Sequence, residues 1–84
     1  MLYTIVILRR AQKELAELPL EVYARVRDAI RKLGENPRPP GYIKLSGREG
    51  FRIRVGDYRV IYEIDGAQYI LNVMHVGHRR DVYR

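Results

Sequence analysis

An α+β fold is expected from this chain, and three observations predict it. A β-rich run, Leu2 to Leu8 (LYTIVIL), precedes two stretches of helical spacing, and these precede three stretches of period-2 alternation. Turn residues punctuate the alternating part, with Gly56-Asp57 and Asp65-Gly66 each separating two runs. No linker-like stretch and no internal repeat divides the 84 residues, so residues 1–84 are read as one domain. The expected architecture is an N-terminal strand, a two-helix hairpin and then a three-stranded antiparallel meander, together forming a small twisted sheet.

The first strand carries no charge between Leu2 and Leu8 and reads as mostly buried; Arg9 and Arg10 end it. Ala11, Leu15 and Leu18 recur at helical spacing while Gln12, Lys13, Glu14 and Glu17 point away, which predicts a short amphipathic helix to about Leu18. Pro19 interrupts it. A second helix runs from Pro19 or Leu20 to Leu33 on a stripe of Val22, Val26, Ala29 or Ile30, and Leu33, with Gly34 as its C′ residue. The pair makes a helical hairpin whose apolar faces form a lid over the sheet and whose outward arginines are, by default, solvated. Asn36 to Gly41 is a proline-rich connector, and Tyr42, Ile43 and Leu45 begin a short strand or pack the loop down.

Residues 51–63 (FRIRVGDYRVIYE) organise the rest. Phe51, Ile53 and Val55 alternate with Arg52 and Arg54, and Tyr58, Val60, Tyr62 and Ile64 alternate again after the turn. Glycine at the first central position suits a two-residue type II′ loop, which pairs Val55 with Tyr58, Arg54 with Arg59 and Ile53 with Val60. That register gathers Arg52, Arg54 and Arg59 on one face. Two arginines directly opposed repel unless an anion lies between them, and phosphate matches the guanidinium fork. The bland reading is a solvated strand face or a protected sheet edge. Asp65-Gly66 as a type I′ turn then pairs Ile64 with Ala67, Ile61 with Ile70 and Arg59 with Asn72, in a last strand Ala67 to Val76. Tyr69, Leu71, Val73 and His75 would join the buried face, and Ile70, Asn72 and Met74 the arginine face. The tail after Gly77 (HRRDVYR) would emerge beside Arg54 and Arg59.

Sixteen Lys and Arg against ten Asp and Glu give a net charge of +6, which favours a polyanionic partner, nucleic acid or an acidic protein. Without Cys there is no disulfide, thiolate nucleophile or Cys-based zinc site, and a cytoplasmic location fits. No apolar run approaches a membrane span, and Met-Leu-Tyr-Thr lacks the charged start of a signal peptide, so no membrane partner is expected. There is no Gly-rich phosphate cradle and no facing carboxylate pair. His75 and His78 lack a neighbouring carboxylate in sequence, so no metal and no other cofactor is expected.

Arg52, Arg54, Arg59, His78, Arg79 and Tyr83 suit one reaction, the cleavage of RNA without metal. It needs a base for the 2′-hydroxyl proton, cations for the phosphorane charge and an acid for the leaving oxygen. Arginines supply charge but stay protonated, so His78 is the titrating candidate near neutral pH. Tyr83 could stack on a base, transfer a proton, or pack on the sheet as an ordinary tail residue. Arg80 joins Arg52, Arg54, Arg59 and Arg79 as an RNA-binding candidate.

The segments KLSG, FRIRVGDYRVIYEI and VGHRRDVYR, in an order of strand, helical hairpin and three-stranded sheet, resemble the RelE family of type II toxins over essentially the whole chain. That resemblance implies a cytosolic toxin held inactive by a RelB-like antitoxin, which would add an amphipathic helix or a strand. It also implies cleavage of mRNA on the ribosome by basic residues and a C-terminal tyrosine, with no metal. By position, the basic pair of the strand before GDYR falls on Arg52 and Arg54, the GDYR arginine on Arg59, the next on Arg79, and the tyrosine on Tyr83. Relatives can carry lysines where this chain has Arg52 and Arg54, and arginine only clamps and stabilises charge. Proton transfer would therefore fall to His78, Tyr83 or the ribosome. ParE-type toxins share the fold, which keeps open an inhibitor of DNA gyrase; a basic ribosome- or RNA-binding toxin without catalysis is the third reading.

Overall fold

A computed structural model describes residues 2–80. Its elements are β1 (Thr4–Ile7), α1 (Arg9–Ala16), α2 (Leu20–Glu35), β2 (Ile43–Lys44), β3 (Phe51–Val55), β4 (Tyr58–Asp65) and β5 (Ile70–His78). The sheet has five strands in the order β1-β5-β4-β3-β2, with β1 parallel to β5 and the other pairs antiparallel. The expected class holds. The short strand foreseen at residues 42–45 is reduced to two residues at the sheet edge, and β1 closes the opposite edge.

Both helices cover one face. Ala11 and Leu15 of α1 and Val26, Ile30 and Leu33 of α2 meet Ile53, Val60, Tyr62, Leu71, Val73 and Val76 in a single cluster. The apolar alternation of β3 and β4 therefore turns toward the helices, and Arg52, Arg54 and Arg59 turn away. α2 outruns its expected end, and Gly34 lies within its last turn instead of capping it. The reason is a close approach: Tyr3 N–H donates to Gly34 O at 2.7 Å, and a Cβ at Gly34 would lie 3.2 Å from Ile5 Cδ1.

The β3–β4 hairpin has the expected register, with Val55 opposite Tyr58, Arg54 opposite Arg59 and Ile53 opposite Val60. Gly56 has φ +60° while Asp57 stays negative, as a type II′ turn requires. The β4–β5 register differs from expectation in two steps. Asp65 Oδ1 accepts N–H bonds from Ala67 at 3.1 Å and Gln68 at 3.2 Å, and Tyr69 takes φ +55°. Residues 66–69 thus form the loop, and Ile64 pairs with Leu71, not Ala67. This slide is even in length, so Leu71 and Val73 keep the buried face. Tyr69, expected inside, is 43% exposed.

The second step is an irregularity between Ile61 and Tyr62: Val73 faces Tyr62 but His75 faces Ile61, which leaves Met74 as the extra residue of a bulge. Alternation reverses beyond it. Val76 enters the core opposite Val60, Gly77 lies opposite Arg59, and His78 lies opposite Tyr58. The expected pairs Ile61–Ile70 and Arg59–Asn72 are replaced accordingly.

β1 accompanies β5 only as far as Val73, and α1 takes over the edge beyond. Glu14, expected in solvent, accepts the Val76 N–H on Oε1 at 2.9 Å. Its Oε2 contacts His75 Nδ1. Arg10 lies within 3.5 Å of the same carboxylate and 3.4 Å of His75 Nε2. The connector after α2 is anchored from the core, where the fully buried Tyr62 donates its hydroxyl to Pro37 O at 2.6 Å. Burial pushes the Tyr62 phenol up to about 12 against the opposing pull of the Arg38 guanidinium.

Candidate nucleic-acid interface

The face away from the helices carries the arginines because a strand alternates its side chains. With Ile53 and Val60 committed to the core, Arg52, Arg54 and Arg59 have no other side to occupy. Arg54 and Arg59 are direct cross-strand partners, and Arg52 lies opposite Ile61. Directly opposed side chains on antiparallel strands have Cβ atoms about 5 Å apart, so these two arginines leave the sheet side by side. Arg54 is exposed and Arg52 half-buried, whereas Arg59 is only 8% exposed. On the other flank of Arg59 the cross-strand neighbour is Gly77, which places no side chain beside it. Among the described residues the ion pairs join Arg10 to Glu14 and Arg27 to Asp28, and none involves Arg52 or Arg54.

Arg79 and Arg80 approach this row through the backbone. Arg79 N–H donates to Asp57 O at 2.8 Å, so Arg79 and Arg80, both exposed, leave β5 beside the Gly56-Asp57 turn. Arg25 of α2 arrives at the same turn, with its Nη2 3.0 Å from the position of a Cβ on Gly56. Helical periodicity leaves Arg25 to solvent, and no local pattern links a helix residue to a turn so far along the chain. Lys44 and Arg48 also escape a reading of the sequence. They flank Arg52 because β2 pairs Ile43 with Arg52, a pairing signalled only by the alternation of Ile43 with Lys44.

His78 does not join the arginine row. It faces Tyr58 edge-on, ring centroids 5.5 Å apart, on the helix side of the sheet, and its Nδ1 accepts the Arg80 N–H at 3.2 Å. Tyr83 lies outside the described residues. Among the described residues no group of three or more His, Cys, Asp or Glu could hold a metal ion. None of their helices is long and apolar enough to cross a membrane. The row can therefore bind and stabilise negative charge, while its guanidinium groups cannot exchange protons near neutral pH.

The family model described as the ParE toxin of type II toxin-antitoxin system, parDE, matches residues 5–83. Toxin RelG of Mycobacterium tuberculosis is 33% identical over 86 residues, covering 98% of this chain and 97% of its own. Toxin RelE of the same organism is 32% identical over 84 residues, covering 98% and 87%. Among solved structures, the archaeal RelE–RelB complex of Pyrococcus horikoshii superimposes with a TM-score of 0.84 at 30% identity, over 98% of this chain and 100% of that one. The isolated Escherichia coli RelE toxin gives 0.79 at 25% identity, over 90% and 83%. Fold, strand segments and relatives agree, and the chain belongs to the RelE/ParE superfamily of toxins from type II toxin–antitoxin pairs.

Proposed function

We propose that this toxin is a ribosome-dependent endoribonuclease that cuts mRNA without a metal ion. The observation that carries the reading is the direct pairing of Arg54 with Arg59, with Arg52 alongside and Arg79 tied to the adjoining turn. A surface that merely kept the protein dispersed would gain nothing from opposing like charges at that distance. A phosphodiester entering between them turns the repulsion into attraction, most strongly when it gains charge in the transition state.

In the proposed reaction the 2′-oxygen attacks the adjacent phosphorus and the bond to the 5′-oxygen breaks. The products are a 2′,3′-cyclic phosphate and a 5′-hydroxyl. Arg52, Arg54, Arg59 and Arg79 hold the phosphate and its added charge. One proton leaves the 2′-hydroxyl and one reaches the 5′-oxygen. With His78 packed on Tyr58 across the sheet, those transfers are assigned to Tyr83 or to the ribosome. Arg80 adds a backbone contact to the RNA.

RelE chains from Pyrococcus horikoshii and Escherichia coli form complexes with RelB. By that likeness this toxin is held by a RelB-like antitoxin and acts in the cytoplasm, where mRNA and ribosomes are. The match to the ParE family model favours a second reading, inhibition of DNA gyrase without RNA chemistry. Primer extension on a defined mRNA in a translating extract separates the two. Cuts within codons that require ribosomes and vanish with Arg54→Ala support the nuclease. Blocked translation without cuts leaves a non-catalytic ribosome binder. Undisturbed translation with DNA damage in cells overturns the nuclease in favour of gyrase.

A further inference from the structure

The loop between β2 and β3 is held rigidly at its base. Leu45 N–H donates to Gly50 O at 3.0 Å, and Gly50, at φ +119°, would place a Cβ 3.2 Å from Tyr62 O. Only glycine fits there without strain, so residues 46–49 project from a fixed root. Arg48 in that projection, Lys44 of β2 and Arg52 of β3 surround a concavity of about 360 Å³, together with Ile43, Leu45 and Ser46. No carboxylate lines it. Glu49 of the same loop borders a neighbouring hollow with Glu63 and Ile64, and Lys44 lies between the two, lining both. Ile43, 45% exposed, lies directly across from Arg52 and so stands on the same face as the Arg54–Arg59 pair.

The lining therefore combines two chemistries: cations at the rim and aliphatic side chains open to solvent within. Single-stranded RNA presents the complement, a phosphate followed by an unstacked base and ribose. Arg52 belongs both to this concavity and to the row proposed to cut RNA, so a strand held at one continues into the other.

We propose that Lys44 and Arg48, with Ile43, form a second RNA subsite that holds a nucleotide flanking the cleaved one. This rests on the nuclease reading. The subsite sets how far along the strand the toxin grips, while the Arg54–Arg59 pair sets where it cuts. An acidic protein segment is the competing occupant; the sharing of Arg52 with the cleavage row favours RNA, which must span both.

The test uses a fluorescein-labelled dodecamer of single-stranded RNA and a labelled trinucleotide, with binding followed by anisotropy across a salt series. Lys44→Ala combined with Arg48→Ala should weaken dodecamer binding about tenfold. It should lower the log–log salt slope by about 1.4, two phosphate contacts at about 0.7 each for a single strand. Trinucleotide binding should not change. Arg48→Glu alone, at an exposed loop position, should weaken the dodecamer further and guards against misfolding of the double variant. Arg54→Ala should weaken both RNAs. A wild-type salt slope in the double variant, with Arg54→Ala still harmful, overturns the subsite and leaves the nuclease standing. RNA binding indifferent to Arg54→Ala removes both. Loss of binding to the purified antitoxin with RNA binding intact assigns the concavity to a protein and overturns the proposal.

Discussion

The two faces of the sheet are built from the same strands under opposite rules. Toward the helices, Val60, Tyr62, Leu71 and Val73 are fully buried and pack into one cluster with α1 and α2. Away from them, β3 and β4 bring Arg54 against Arg59 with Arg52 beside them. The first arrangement stabilises the fold by burying apolar surface, while the second sets two cations directly across from one another. They coexist because the pairing that opposes Arg54 and Arg59 also joins Ile53 to Val60 and Phe51 to Tyr62. Apolar contacts on one side hold the strands in a register that the charges on the other side would not choose.

The contrast breaks most sharply at the core. Leu71→Ala removes a fully buried side chain and should cost about 3 kcal/mol, within the usual range of about 2–5, read as a lower denaturation midpoint. Cleavage per folded molecule should stay near wild type.

Tyr62 gives the next largest effect and a pH signature. Its folded value of about 12 lies above the ordinary 10, so its contribution to stability is complete below pH 10 and is lost as pH rises toward 12. The loss should total about 2 to 3 kcal/mol. Tyr62→Phe deletes the bond to Pro37 O and should cost about 1–2 kcal/mol at neutral pH, while making unfolding above pH 10 less steep than wild type. An unchanged alkaline slope would mean that Tyr62 ionises freely.

Glu14→Ala, at the edge of β5, leaves the buried Val76 N–H without its acceptor and should cost about 1–3 kcal/mol. Glu14→Gln keeps an acceptor and should recover most of it. Amide exchange at Val76 reports the difference directly.

Legibility in the sequence also differs between regions. The β3–β4 register follows from Gly56 alone, since a positive φ at the first loop position leaves few ways to pair the strands. That register is enough to gather Arg52, Arg54 and Arg59 on one face. β5 departs from expectation because Asp65-Gly66 resembles a two-residue turn. The Asp65 side chain instead captures the Ala67 and Gln68 N–H groups and lengthens the loop. The bulge at Met74 has no local signature, yet it decides that His78 lies beside Tyr58 and not in the arginine row. The Glu14 bond to Val76 and the approach of Arg25 to Gly56 join distant segments, which periodicity does not encode. Local chemistry is readable from residue order; contacts made by the path of the chain are not.

The smallest expected change in stability belongs to Arg54→Ala, a substitution at an exposed strand position that should shift unfolding by no more than about 0.5 kcal/mol, in either direction. The same variant carries the largest expected loss of function. Cleavage rate on ribosome-bound mRNA and thermal unfolding, measured on one preparation of Arg54→Ala beside wild type, bring the two faces into a single comparison. The expected result is a melting curve within a few degrees of wild type and a cleavage rate lower by about a hundredfold or more. Cleavage at the wild-type rate, or a loss of activity matched by an equal loss of folded protein, would contradict the assignment of this face to RNA.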